Sequence, residues 1–103
     1  MSQTALCAAI KGRNVVSFHY GGDDTPGYRK VEPHMVAYNR KGALALSAWY
    51  LAGASEKNTG YGWREYLLSE IASLIILDER FEGPRPGYNP DGGKTFQNVQ
   101  CAL

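Results

Sequence analysis

The residues of this chain best suited to chemistry are aromatic side chains that stand next to cations. Tyr28-Arg29, Tyr38 near Arg40, Trp63-Arg64 and Arg85 near Tyr88 repeat that pairing within 103 residues that hold seven Tyr, three Phe and two Trp. An aromatic face stacks a nucleobase for about 1–3 kcal/mol, and a flanking cation holds a phosphate. Small β-barrels also use such residues for core and rim packing, so both uses stay open. Catalytic constellations are missing. His19 and His34 are the only histidines, and neither comes with a nucleophile and a third, orienting group. Glu65 and Glu70 fall in a strand-then-turn context that sends them to opposite faces, a poor arrangement for acid–base work. Gly21-Gly22 is followed by two Asp and lacks the Lys of a phosphate loop. Nothing calls for a cofactor or a metal, since Cys7 and Cys101 form no CxxC and no Cys/His spacing of the zinc kind. The chemistry expected is binding and not catalysis.

Charge and hydropathy narrow the partners. A net charge of +1 gives no strong general attraction to nucleic acid or to an anionic membrane. Its distribution is uneven: residues 1–41 carry six Lys/Arg against three Asp/Glu, and residues 42–83 carry three against six. That asymmetry makes either a local basic face or an ordinary solvated surface. The N-terminus has no basic segment followed by an apolar run. The apolar runs, Leu74 to Leu77 among them, are all far too short to span a bilayer. With no cysteine framework, the expectation is a soluble cytoplasmic protein with reduced thiols and no membrane partner.

The elements that must position these residues are mostly strands. The length fits one domain, with about two-thirds of the unfolded chain's surface buried on folding. Ser2 to Lys11 reads as a short helix with Leu6, Ala9 and Ile10 on one face and Gly12 as its stop. Arg13 to Tyr20 alternates as a strand, and Gly21 to Gly27 is a loop. Val31 to Tyr38 and Leu44 to Leu51 form a hairpin around Asn39-Arg40-Lys41-Gly42. Both faces of the second of these strands are apolar, which places it centrally in a closed sheet. Pro33 lacks a ladder donor and belongs at an edge, a strand start or a bulge. Ala54 to Gly62 reads as a connector, and Trp63 to Ser69 as a fourth strand. Leu74 to Leu77 is a fifth strand that starts at Ile71 or follows a helical turn there. The expected core comprises Leu6, Ile10, Val16, Phe18, Val36, Leu44, Leu46, Tyr66, Leu68 and Leu74, with Phe81 as a lid. Residues 1–82 make the compact domain. Residues 83–103, with prolines at 84, 86 and 90, make an extended Pro/Gly-rich C-terminal arm. That arm either docks on a partner or second copy, or is a tail pinned to its own barrel by Tyr88 or Phe96.

Several short motifs follow one another in a fixed order. A helix precedes Phe18-x-Tyr20. Then come Arg29-x-Val31-Glu32-Pro33-His34, Gly42-x-Leu44-x-Leu46-x-Ala48-Trp49, Trp63-Arg64-x-Tyr66, Glu70-Ile71-x-x-Leu74 and Glu79-x-Phe81. This order, over about residues 3–90, resembles the WYL domain family. Ala45-Leu46 matches the family's Tyr-Leu better than the literal Trp49-Tyr50-Leu51 does. The resemblance implies a mainly β fold, a small five-stranded Sm/SH3-like barrel with a helix across one end. It also implies a regulatory module that senses nucleotides or single-stranded nucleic acid, in bacterial transcription regulation or defence. The family's arginine pair, commonly proposed to hold an anionic ligand, falls here on Leu67 and Glu70.

From the resemblance, the basic excess and the aromatic–cation pairs, the expected site comprises Arg29, His34, Tyr38, Arg64, Arg85 and Tyr88. Arg29 and Arg64 meet phosphates. Tyr38 and Tyr88 stack bases. His34 donates a hydrogen bond and gains charge at mildly acidic pH. Arg85 and Tyr88 reach over from the arm. The alternative is a protein-interaction or oligomerisation module that has lost its ligand site. The arm and an open sheet edge predict self-association, with a homodimer as the expected state.

Overall fold

The strand that carries Arg-x-Val-Glu-Pro-His is the one on which the others assemble. In the computed structural model, which describes residues 2–54 and 61–103, the elements are α1 (Ser2–Gly12), β1 (Asn14–Tyr20), β2 (Gly27–Asn39), β3 (Leu44–Gly53), β4 (Gly62–Leu67), a 3-10 turn (Leu68–Glu70), β5 (Ile71–Arg80) and β6 (Phe96–Ala102). All pairings are antiparallel, in the order β4-β3-β2-β1-β5, with β6 also alongside β2. One edge of β2 meets β3 along nearly its whole length. The other edge is divided between β1, at Gly27–Val31, and β6, at Met35–Asn39.

Several expectations need correction here. Among the described residues the sheet has six strands, not five, and it does not close into a barrel. The 3-10 turn carries the chain from the β4 edge to β5 without a ladder between the two. The fourth strand ends at Leu67, not Ser69, and the fifth runs from Ile71 through to Arg80. Residues 55–60 of the expected connector lie outside the described residues. The arm is not extended throughout: it turns back over the sheet and ends as β6. The two thiols are not reduced. α1 and β6 bring Cys7 and Cys101 together with a Cα separation of 5.7 Å, and a disulfide joins them across 94 residues of sequence. No described helix is long and apolar enough to cross a membrane.

Local sequence explains the pieces that form as expected. At the β2–β3 turn the Asn39 side-chain oxygen accepts the N–H groups of Lys41 and Ala43, both at 3.0 Å, and Gly42 takes the left-handed conformation at φ 82°. Asn and Gly are the residues that such a turn favours. In α1, Leu6, Ala9 and Ile10 are all buried. Side chains the size of Leu6 and Ile10 contribute about 1.5–3 kcal/mol each when removed from water. The stripe docks on Val16, Phe18, Val31, Val36, Leu46 and Tyr66, which form the inner face of the sheet. Leu44, Leu68 and Leu74, expected in the core, are only partly buried at its margin. Phe18, Tyr20 and Tyr66 meet edge to face, with centroids 4.9–6.3 Å apart. Burial pushes the Tyr66 phenol up to about 12.

Candidate functional site

The outer face of the sheet is shaped by Pro33. Pro33 pairs with Ala48 and Met35 with Ser47, so His34 is the extra residue of a β-bulge. A proline cannot serve the ladder, and a bulge is where one is tolerated. The insertion resets the alternation of β2. Val31 and Val36 both reach the inner core, while Glu32, His34 and Met35 lie on the outer side with Trp49 and Trp63.

His34 is fully buried and both its ring nitrogens are committed. Nδ1–H donates to the Glu32 carbonyl at 2.8 Å, and Nε2 accepts the Arg85 backbone N–H at 3.2 Å. Those partners fix the neutral tautomer, and burial holds the pKa below the usual imidazole value, with the Arg85 charge adding to the effect. Rings surround the imidazole. Phe81 stacks on it at 5.4 Å, and Trp63 and Tyr88 meet it edge-on at 4.7 and 5.3 Å.

The segment after β5 covers this face and is clamped to it. Arg85 donates through Nε and Nη2 to the two carboxylate oxygens of Glu32, at 2.7 and 2.8 Å. Its guanidinium lies 5.3 Å from the centre of the Trp49 ring. The Trp63 indole N–H donates to the Pro86 carbonyl at 2.8 Å, and Tyr88 stacks on Trp63 at 6.1 Å. Gly87 permits that approach: it has φ 90°, and a Cβ there would come within 3.3 Å of Trp63 Nε1. The Tyr88 hydroxyl donates to the carbonyls of His34 and Leu103. Of the two states open to the arm, this is the one pinned to its own sheet, with Tyr88 and Phe96 as the pins.

Between the sheet and the returning chain runs an open groove of ≈ 280 Å³. β2–β4 supply Met35, Ser47 and Trp63, and the returning chain supplies Tyr88, Asn89 and Phe96. Glu65 also borders it, with one carboxylate oxygen accepting the Asn39 amide at 3.0 Å. The basic hairpin tip stands close to the Phe96 side. Arg40 Nε donates to the Lys94 carbonyl at 2.6 Å, two residues before Phe96, and Nη1 reaches Gln97. The groove thus offers three aromatic side chains, one acidic group, and cations near one end.

The six predicted site residues divide. His34, Arg85 and Tyr88 gather on the outer face, but His34 is sealed in and Arg85 is engaged with Glu32. Arg29 is not at this site. It is 2 % exposed, ion-paired with Asp23 and bonded to the carbonyls of Gly27 and Thr25. In register Tyr38 stands opposite Leu44, on the inner face with Val36. Arg64 borders the groove, yet its guanidinium lies 5.1 Å from the centre of the Tyr50 ring and donates to the Trp63 carbonyl. Leu67 and Glu70 bring no cation to the site. Sequence reasoning missed Met35, Ser47, Asn89 and Glu65 as groove residues. Pro33 carried a signal for Met35 alone, since a bulge there resets which β2 residues face outward; Ser47, Glu65 and Asn89 lie on other segments and had none.

Residues 3–76 match the family model of the WYL domain. The chain belongs to the WYL domain family. Its domains are read as ligand-binding regulatory modules, and the match ends within β5. The returning segment that clamps the outer face, and β6, therefore lie beyond the matched part of this WYL protein. No curated protein matches the chain.

Proposed function

We propose that this WYL protein is a regulatory binding module for a nucleotide or a short stretch of single-stranded nucleic acid, taken up in the outer groove. The observation that supports it most is the set of three aromatic groove residues, Trp63, Tyr88 and Phe96, with Arg40 and Lys94 near one end. A base stacks against the rings, and its phosphate reaches Arg40 and Lys94. Met35 and Ser47 form the floor. We assign no catalysis to the chain and place it in the bacterial cytoplasm, serving transcription regulation or defence.

Fluorescence anisotropy of a labelled oligonucleotide tests this at two salt concentrations. Affinity should fall as salt rises, with a slope of roughly −0.7 for each phosphate contact. Arg40→Ala/Lys94→Ala, two exposed positions, should flatten that slope by about 1.4. No binding at low salt, or binding indifferent to both substitutions, would refute the proposal.

Self-association is the second function that a specific feature favours. Among the described residues β5 pairs on one edge only, and its Ile75 and Ile76 are 57 % and 42 % exposed. Unpaired apolar edges recruit further strands. Light scattering on the parent and on Ile75→Lys decides it: a monomer at micromolar concentration removes this function.

A further inference from the structure

The Cys7–Cys101 bond joins the first element of the fold to the last. Cys7 lies on α1, which docks on the inner core, and Cys101 lies on β6. Apart from this bond, β6 is weakly held. It has no fully buried residue, and Gln97, Asn98 and Gln100 are exposed. Its ladder with β2 is broken in the middle. Cys101 pairs with Val36 and Gln97 with Tyr38, so four residues on β6 are spanned by two on β2, and Asn98 sits at φ 50°. Its far edge has no partner strand among the described residues. A strand with so little apolar burial and so interrupted a ladder lies at the low end of local stability.

Both ends of β6 bear on the groove. Its first residue, Phe96, is a groove residue. At the other end, Leu103 donates its N–H to the His34 carbonyl at 3.0 Å and offers its own carbonyl to Tyr88. Tyr88 is a second groove residue. Release of β6 therefore loosens the returning-chain wall at two places.

We propose that the Cys7–Cys101 disulfide is a redox latch that holds β6 down and with it the arm wall of the ligand groove. The proposal takes the groove to be the ligand site. A dithiol reductant opens the latch: the Sγ–Sγ bond breaks, two electrons and two protons pass to the protein sulfurs, and the reductant leaves as its own disulfide. Neither cysteine is fully buried, so a reductant has an approach. Disulfides in the cytoplasm, the compartment proposed above, are usually transient and redox-sensing.

Two measurements on the full chain separate the latch from the ligand reading. Hydrogen exchange comes first and needs no ligand. On reduction, amides of β6 should exchange about tenfold faster or more, while those of β2 and β3 around Val36 and Leu46 keep their protection. Cys7→Ser/Cys101→Ser should match the reduced parent, and reoxidation of the parent should restore the slow rate. Unchanged β6 exchange, or an equal rise throughout the sheet, overturns the latch. The second is oligonucleotide anisotropy on both forms. Affinity should fall roughly tenfold on reduction, because a loosened wall must be ordered again by the ligand. Equal affinity with faster β6 exchange overturns the coupling to the groove. No binding by the oxidised form refutes the ligand reading, and the latch then stands or falls on the exchange result.

Discussion

Removal of the Arg85 side chain tests whether this arginine works as a clamp. The Glu32 side chain is 5 % exposed, and both its oxygens accept from the Arg85 guanidinium. Arg85→Ala leaves that carboxylate buried without its partner. Loss of one member of a fully buried pair costs about 3–5 kcal/mol. Arg85 itself is 41 % exposed, so water can reach the vacated position and the cost should be smaller, about 2–3 kcal/mol. With a urea dependence of about 1–2 kcal/mol per molar for a domain of this size, the midpoint should drop by about 1.5 M. Trp49 and Trp63 report the transition by fluorescence, since the first lies under the guanidinium and the second carries the Pro86 hydrogen bond. The double substitution Glu32→Met/Arg85→Met removes both charges while keeping similar volume. It should return to within about 1 kcal/mol of the parent. If Arg85→Ala leaves the midpoint in place, or if the double variant is as unstable as the single one, the buried-carboxylate reasoning is wrong.

Leu46→Ala deletes a fully buried side chain from β3 and should cost about 2–5 kcal/mol, read as a fall in Tm; an unchanged Tm would count against its central position. His34 is kept neutral by burial, so its folded pKa lies below its unfolded value. The unfolded chain then binds a proton first, so stability is complete above about pH 6.5 and is lost as pH falls from there through the lower folded pKa. Urea midpoints at about pH 7.5 and 5.5 should differ in the parent, and less so in His34→Gln; equal pH dependence in both would reject this account. Oligonucleotide binding with its Arg40/Lys94 salt slope, and faster β6 exchange on reduction, complete the set.

Much of the inner face was legible from sequence because period-two alternation and the buried core are the same fact there. Val16, Phe18, Leu46 and Tyr66 fall on the apolar side of their strands' alternation, and they form the core as read. Pro33 was legible as an edge, a strand start or a bulge, because a missing N–H permits few other places, and the pairing with β3 makes it the bulge. The consequence for His34 was not. Only the pairing with β3 reveals that the bulge turns a strand histidine into a sealed one. Arg29 misled for a similar reason: next to Tyr28 it reads as an exposed cation, but Asp23 and two carbonyls of the following loop residues supply enough partners to bury it. β6 was illegible because Gln97, Asn98 and Gln100 interrupt any regular alternation in Phe96–Ala102 and the segment follows a Pro/Gly-rich stretch. Its strand state depends on the free upper edge of β2, a tertiary demand. The cysteine pair was hidden by distance, since 94 residues of separation carry no spacing signal. The fourfold aromatic–cation pattern was visible throughout, but which members share a surface follows from topology alone.

The divided edge of β2 has a consequence for how the chain is made. β1 to β5 can pair once Arg80 is available, but the segment that covers their outer face is translated afterwards. At about 5–20 residues per second, the stretch from Phe81 to Ala102 takes about 1–4 s to synthesise. A hairpin forms in about 1–10 μs. Each hairpin of the nascent sheet can therefore close about five orders of magnitude faster than that segment is made, and until it arrives His34, Trp49 and Trp63 are uncovered and Met35–Asn39 offer unpaired backbone groups. During that interval it presents what holdase chaperones bind, an apolar surface beside an open strand. A chain stopped at Gly83 makes that fleeting state permanent, and its yield in soluble form would measure how much the cell must intervene before the last strand arrives.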